Sequence, residues 1–366
     1  MKNISCLITH SIGEVDVLLP IFNKLSKNYK IKIIFTVKKI YDDYKKNTFF
    51  NYFVKQKSIE IFFIQSSNKF DFPLKSRNLI IKIYLKFLKI KFFFLGFYQI
   101  YTSKILFHEI TNQIDSTFIL YFLKRLFDKK IFVYNHAIGS EKKSKKVDKV
   151  KYFVHANYLS FQKDELEFSK NKGFKSYYYI GNPKLDSSWN VILKNYLGKH
   201  LNKLPKNILI LLQNSSNFEN EQIFEDLFYD TIVIIQKYYP DINIFFKPHP
   251  RDKLNKIKNF IKKYSNFTLY ENDIMSAVAK SIFVVSFHTS AVIDVFLLNK
   301  IVVEICLPNK HWKIKNLNRP LYKQYVDYSS DNLIDFENNI KNLKSNKINS
   351  KNLKKNNFSL DFLNAK

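Results

Sequence analysis

Phe245-Phe246-Lys247-Pro248-His249-Pro250-Arg251 decides how this chain is read, together with Ser286-Phe287-His288-Thr289-Ser290-Ala291-Val292-Ile293-Asp294 further on. In the first stretch an apolar run gives way to a histidine framed by prolines and flanked by two cations. In the second, the apolar run Ile282 to Val285 gives way to hydroxyl residues and then to a helix-like pattern. A strand feeding a helix start, with hydroxyls and backbone N–H groups at the junction, is a ready phosphate cradle. Two such junctions close in sequence point to one site for a phosphate-bearing ligand in an α/β domain.

Outward from these junctions, the C-terminal half alternates strand and helix. Ile208 to Leu212 reads as a strand followed by the loop Gln213-Asn214-Ser215-Ser216-Asn217. Phe224 to Tyr239 is helical, Ile242 to Phe246 a strand, Ile257 to Tyr264 a helix and Phe267 to Tyr270 a strand. A short helix (Ile274 to Ala279), a strand (Ile282 to Val285), a helix (Ala291 to Leu298) and a strand (Ile301 to Ile305) complete the series. The N-terminal half does the same. Its strands are Ile4 to Ile8, Ile31 to Phe35, Ile59 to Ile64, Ile105 to Phe107, Ile131 to Tyr134, Tyr152 to Val154 and Tyr177 to Ile180, with helices at Val15 to Lys27 and Thr117 to Phe127. Such alternation predicts parallel sheets with helices on both faces. The lysine-rich connection Lys194 to Lys206 separates the two series. The expected organisation is two Rossmann-like domains over 1–190 and 191–340, with their sheets facing a central cleft, and a polar basic tail over 341–366.

A chain of 366 residues buries a core for two domains with ease. The formal net charge of +29 favours anionic partners, but the lysines are scattered and form no Arg-rich or Gly-aromatic nucleic-acid signature. Lys and Asn enrichment with scarce Gly and Pro also fits an AT-rich genome, so part of the charge is compositional. Cys6 and Cys306 each lie in an apolar run and read as buried thiols, without metal-ligand spacing. The N-terminus lacks the pattern of a signal peptide, which gives a cytoplasmic expectation. Leu79 to Tyr101 is greasy but carries Lys82, Lys86, Lys89 and Lys91, which speaks against a spanning helix. Two readings stay open for it: a basic amphipathic helix lying on an anionic bilayer, or a half-buried helix with solvated lysines. The Walker, Gly-x-Gly-x-x-Gly and Gly-x-Ser-x-Gly patterns are all absent from the sequence, against P-loop ATPases, nicotinamide dehydrogenases and elbow-type hydrolases.

The chemistry concentrates in few residues. His249 sits between two prolines that restrict it and its neighbours, so its imidazole is held at a strand end with Lys247 and Arg251 as charge partners. From there it can donate to a phosphate oxygen and stabilise a leaving group. Thr289 and Ser290 fall at a helix start, where hydroxyls cap or bind anions. Asp294, one turn on, suits ribose hydroxyls or simply a helix's N-terminal half. Ser215 and Ser216 are further ligand-binding candidates at the end of their strand.

The string Ser290-Ala291-Val292-Ile293-Asp294-Val295-Phe296-Leu297-Leu298-Asn299-Lys300 resembles the donor-site segment of the CDP-glycerol glycerophosphotransferases. A related pattern occurs in bacterial sialyl- and polysialyltransferases. These are two-domain enzymes of the GT-B type whose hallmarks, a His-Pro pair and a later Ser/Thr pair, both meet the donor phosphate. His249-Pro250 and Thr289-Ser290 match those hallmarks. Ile180-Gly181-Asn182-Pro183-Lys184-Leu185-Asp186 looks like the Gly-x-Pro-x-x-Asp segment ending the first domain in these families and in nucleotide-sugar epimerases. Asn135-His136-Ala137-Ile138-Gly139 is similar to the His-Gly loop of the glycerophosphotransferases, whose histidine is proposed as the acceptor's base. Coverage at motif level is 130–305. Ala137 stands where that loop has glycine, Ile301 where proline is common, and the acidic-acidic-Gly motif of some sialyltransferases is absent as such.

The resemblance implies a GT-B-like glycosyltransferase with an acceptor-side first domain and a donor-binding second domain. His136 ranks first as base, Glu14 second and His108 third. Lys247, His249, Arg251, Ser215, Ser216, Thr289, Ser290 and Asp294 are the donor candidates. The favoured donor is a CMP-linked sialic acid or related keto sugar. The expected acceptor is a glycan or glycolipid, a precursor of surface polysaccharide or lipopolysaccharide. CDP-glycerol or CDP-ribitol is the next donor, then UDP-hexoses. No metal or other cofactor is expected, since cations and a helix start replace one. Peripheral contact with the inner face of the cell membrane is the further expectation for 79–101. The rivals are a nucleotide-sugar 2-epimerase and a non-catalytic basic protein of the membrane surface.

Overall fold

The computed structural model describes residues 2–9, 11–64, 98–109, 129–135, 156–161, 173–198, 207–213, 221–249, 254–305, 322–345, 358 and 360–363. The chain divides into two compact units: Met1–Trp189 with Asn356–Lys366, and Asn190–Lys355.

The first unit is built on seven parallel strands: β1 (Lys2–Ile8), β2 (Tyr29–Phe35), β3 (Glu60–Phe63), β4 (Ile105–Glu109), β5 (Lys130–Tyr134), β6 (Ala156–Ser160) and β7 (Ser176–Tyr179), in the order β3-β2-β1-β4-β5-β6-β7. The order reverses between β1 and β4, which makes their carboxyl ends the topological switch point. Ile4 to Ile8 are all buried, as a parallel strand covered on both faces requires. Helix α1 (Gly13–Leu25) covers one face, where Phe22 meets Phe107 edge-on at 6.1 Å. Two helices, α2 (Lys38–Lys46) and α3 (Thr48–Gln56), follow β2; the Asn47 side chain caps α3 by accepting from the Phe50 N–H at 3.0 Å. Phe49 and Phe53 of α3 lie edge-on to the fully buried Trp189.

The second unit carries six parallel strands: β8 (Asn207–Leu211), β9 (Asn243–Lys247), β10 (Phe267–Leu269), β11 (Ser281–Ser286), β12 (Ile301–Ile305) and β13 (Tyr328–Ser330), ordered β10-β9-β8-β11-β12-β13. Its switch point lies between β8 and β11. Helix α4 (Ser187–Gly198) precedes it; α5 (Glu221–Tyr238), α6 (Leu254–Ile261), α7 (Ile274–Ala279), α8 (Val292–Leu297) and α9 (Leu333–Ser345) alternate with the strands. One sheet face is a phenylalanine core: Phe228, Phe246, Phe260, Phe267 and Phe287 pack there with Ile210, Val285 and Phe336. The aromatic excess of the composition is spent here on large apolar contact area.

Both sheets have the parallel, helix-covered form expected from the alternation. Elements outside that expectation are β6, β13, α2, α3 and α9, while α4 occupies part of the stretch read as a connection. β6 is Ala-Asn-Tyr-Leu-Ser and β13 Tyr-Ser-Ser, so both strands carry residues of low strand propensity and form by pairing with neighbours. Within 341–366, α9 runs to Ser345 in the second unit. Phe358, Phe362 and Leu363 are buried in the first, where Phe362 meets Phe132 edge-on at 5.1 Å and Lys24 donates to the Phe358 carbonyl at 2.7 Å. Helix Thr117 to Phe127, strand Tyr152 to Val154, Cys306 and most of Leu79 to Tyr101 lie outside the described residues. Among the described residues, no helix is long and apolar enough to cross a membrane.

Candidate functional site

In the second unit one register row crosses the carboxyl ends of four strands. Lys247 of β9 lies opposite Leu211 of β8, Leu211 opposite Ser286 of β11, and Ser286 opposite Glu304 of β12. Residues in one such row project from the same face. Lys247, Ser286 and Glu304 therefore share the face opposite the phenylalanine core, to which their neighbours Phe246, Val285 and Val303 point.

β9 ends where Pro248 withdraws a backbone donor. The Lys247 ammonium donates to the carbonyls of Asn272 and, at 3.4 Å, Glu271. Burial lowers its pKa, while the nearby Asp273 and Glu271 oppose that shift. Lys247 thus ties the end of β9 to the loop before α7. Asp273 in that loop caps α7 by accepting from the Ser276 N–H at 2.8 Å, and it takes a bond from the Tyr196 hydroxyl of α4 at 2.7 Å. His249 follows, half-buried. Arg251, Ser215 and Ser216 lie outside the described residues.

At the end of β11 the chain turns at His288, which has φ +54, a left-handed conformation uncommon for a residue with a side chain. Thr289 Oγ1 accepts from the Ala291 N–H at 3.4 Å. Ser290 is exposed, and its hydroxyl is hydrogen-bonded to Tyr322. Ala291 is the N-cap of α8 and has no side-chain cap, so Thr289 and Ser290 stand three and two residues ahead of Val292, the first residue of the helix. Asp294 is 3% exposed in the first turn of α8. β9 and β11 flank β8, so the His249 and Thr289–Ser290 segments leave the sheet two strand spacings apart, roughly 10 Å.

A group that sequence reasoning missed lies beside this turn. Glu304 is wholly buried, and neither carboxylate oxygen has a hydrogen-bond partner among the described residues. His288 Nδ1 stands 3.4 Å from its Oε1, and the His288 ring lies 5.4 Å from that of the buried Tyr322. Burial, and then the charge of Glu304, push the Tyr322 hydroxyl upward in pKa. Ser286 Oγ and Gln213 Oε1 are likewise buried without a hydrogen-bond partner among the described residues. The signal was present in the sequence: a glutamate inside Ile301-Val302-Val303-Glu304-Ile305 puts a charge in a strand that is buried on both faces.

The first unit gathers polar groups at its own switch point. Glu14, in the first turn of α1, is wholly buried; its oxygens accept from the Ser11 N–H at 2.7 Å and the Thr9 N–H at 3.1 Å. The Tyr134 hydroxyl, from the end of β5, donates to the Glu14 carbonyl at 3.1 Å. His108 on β4 places Nδ1 2.6 Å from the Glu109 carbonyl, and burial pushes its pKa down to about 4, so the ring is neutral near pH 7. Cys6 is buried, and burial raises its thiol pKa. His136 and His10 lie outside the described residues, while Asn135, beside His136, is fully buried. No group of three or more His, Cys, Asp or Glu among the described residues forms a metal-binding cluster.

No family model matches the sequence, and no curated protein matches it. Its fold does match solved structures. The UDP-GlcNAc 2-epimerase of Methanocaldococcus jannaschii, in complex with UDP-GlcNAc and UDP, aligns with a TM-score of 0.58 at 12% identity, over 96% of this chain and 95% of that one. Glycyrrhiza uralensis UGT73P12, complexed with glycyrrhetinic acid 3-O-monoglucuronide, aligns with a TM-score of 0.53 at 10% identity, over 94% and 87%. Anabaena Alr3699/HepE, in complex with UDP and glucose, aligns with a TM-score of 0.52 at 10% identity, over 93% and 89%. The chain has the GT-B-like fold of two Rossmann-like units, as the strand–helix alternation and the motifs imply. At these identities the likeness speaks for the fold alone.

Proposed function

We propose that this protein is a nucleotide-sugar-dependent glycosyltransferase whose second unit holds the donor. The observation that carries the reading is the row of adjacent strand ends at the β8/β11 switch point: Lys247 and His249 leave β9 on one side, and Thr289 and Ser290 leave β11 on the other. Open α/β sheets bind ligands at such places. The His-Pro and Thr-Ser pairs that resemble donor-phosphate motifs fall there. The similar structures of the epimerase and of HepE were solved with uridine nucleotides bound.

In the reaction proposed, an acceptor hydroxyl attacks the sugar's anomeric carbon. The bond from that carbon to the donor phosphate breaks, and the nucleotide leaves with the electron pair. His249, Thr289 and Ser290 would meet the growing phosphate charge with hydrogen bonds, an electrostatic term that needs no covalent intermediate. The proton would go to a first-unit base, His136 ahead of Glu14. Both Glu14 oxygens already accept backbone N–H bonds, so a base role for Glu14 requires release from them. Lys247 shapes the site through its hold on the 271–272 carbonyls, and Asp294 supports α8 from its buried first turn.

The donor we favour is a CMP-linked sialic acid or related keto sugar, and the acceptor a surface-glycan precursor. Calorimetric titration of the purified protein with CMP, CDP and UDP tests this. Tight CMP binding that His249→Ala abolishes supports it; preference for CDP or UDP reassigns the donor. Failure of a folded protein to bind any of the three would refute the transferase reading. A second reading, nucleotide-sugar 2-epimerase, is favoured by the likeness to the M. jannaschii enzyme. Incubation with UDP-GlcNAc and no acceptor separates the two: an epimerase gives an isomeric nucleotide sugar, a transferase leaves the substrate unchanged.

A further inference from the structure

We infer that His288, held by Glu304, is a second histidine of the donor site, taking up a proton when phosphate binds and supplying a positive charge there; this rests on the donor site proposed above. Four features of the second unit support the assignment. His288 stands two residues beyond Ser286 of the register row and adjoins the Thr289–Ser290 pair. Its left-handed φ of +54 is a strained turn, the kind of conformation that a fold retains where a side chain must be aimed. The Glu304 carboxylate faces Nδ1 at 3.4 Å from a fully buried position, with no hydrogen-bond partner for either oxygen among the described residues. A buried carboxylate with so little around it is costly unless an adjacent cation compensates it. His288 at 7% exposure is covered, but it sits at the strand end rather than inside the sheet.

These features divide the roles. Glu304, wholly buried, does not reach a ligand; it is a positioning residue that acts through the imidazole. Its charge favours the imidazolium, and a donor phosphate on the other side of the ring would favour it further. The ring then stands between two anions, as in other carboxylate–histidine arrangements where the second partner fixes tautomer and direction. The titratable groups facing the ring are Glu304 from β12 and Tyr322 from the segment before β13, with Tyr325 behind Tyr322 and Asp294 carried on the helix that follows. Of these, the Glu304 carboxylate is the group that stands against Nδ1, at 3.4 Å. Tyr322 stays neutral because burial raises its pKa.

The experiment is a pair of measurements on the full chain and on Glu304→Gln, which keeps the shape and removes the charge. The first is an NMR titration of His288 without nucleotide, the resonance assigned with His288→Asn; asparagine tolerates the left-handed backbone. The second is calorimetry with CMP and UDP from pH 6 to pH 8. The inference expects Glu304→Gln to lower the His288 pKa. It also expects nucleotide affinity to rise roughly tenfold from pH 8 to pH 6 in the native protein, for one coupled proton. That rise should vanish in both Glu304→Gln and His288→Asn. Glu304→Asp, which restores the charge on a shorter arm, should recover part of it. An unchanged His288 pKa in Glu304→Gln overturns the inference even if nucleotide binds well. A lowered His288 pKa in a protein that binds no nucleotide instead overturns the donor-site reading and leaves the pair as a structural contact.

Discussion

The two sheets present their carboxyl ends in opposite ways. In the first unit the buried carboxylate and the tyrosine at the β1/β4 switch are tied to backbone: Glu14 accepts two backbone N–H bonds, Tyr134 donates to the Glu14 carbonyl, and the neutral His108 leans on the Glu109 carbonyl, while Ser11 Oγ is buried without a hydrogen-bond partner among the described residues. In the second unit Glu304, Ser286 and Gln213 each bury oxygens that no described residue hydrogen-bonds, next to a turn strained at His288. Two sheets of one kind therefore put their polar strand-end residues to different uses. One uses them to fasten loops, a contribution to stability; the other keeps them at a cost to stability, as functional sites do.

Substitutions at the two ends should break or sharpen that contrast. The largest effect belongs to His249→Ala, which should lower transferase activity or nucleotide affinity by about 100-fold or more, with the thermal midpoint nearly unchanged. Steady-state kinetics and a melting curve together check it, and a matching loss of stability would make His249 a structural residue. Next comes Glu14→Ala. It strands two backbone donors in a buried place and should cost roughly 2–4 kcal/mol in urea unfolding. Glu304→Gln is the counterpart in the second unit and should be neutral, or stabilising by about 1 kcal/mol, because it relieves a poorly compensated buried charge. Equal destabilisation by the two substitutions would erase the contrast.

A pH series sharpens it further. The folded His108 pKa of about 4 lies below the unfolded value near 6.5. Between those values the unfolded chain binds a proton that the folded chain refuses. Stability therefore falls as pH drops through that window and levels off below it, a loss of roughly 3 kcal/mol. Unfolding measured at pH 7 and pH 4.5 should show this, and His108→Asn should show a smaller drop. The smallest net effect is expected for His288→Gly: release of the left-handed backbone strain opposes the loss of the ring beside Glu304 and Tyr322, so stability should change by no more than about 1 kcal/mol while nucleotide binding weakens.

Much of the fold was legible because strands buried on both faces read as unbroken apolar runs, as in Ile4 to Ile8, Ile208 to Leu212 and Ile282 to Val285. β6 and β13 were not, since Asn157, Ser160, Ser329 and Ser330 hide strands that exist through their pairing with β5, β7 and β12. In the candidate site, the proline frame of His249 and the Thr289-Ser290 pair were visible as local patterns. Glu304 was passed over because its meaning comes from a partner across the sheet. Only the register that sets it opposite Ser286, and the turn that brings His288 within 3.4 Å, give that lone charge a role. Lys247, read as a charge partner of the ligand, turns its ammonium to the carbonyls of Glu271 and Asn272. That choice depends on a loop whose position no local motif encodes.

The most direct test of the account is calorimetric titration of the native chain and of His249→Ala with CMP and UDP. The account predicts saturable one-site binding to the native protein and its loss in the variant, with both proteins equally folded by circular dichroism. A folded native protein that binds neither nucleotide, or a variant that binds as tightly as the native chain, would contradict the assignment of the second unit's strand ends to the donor.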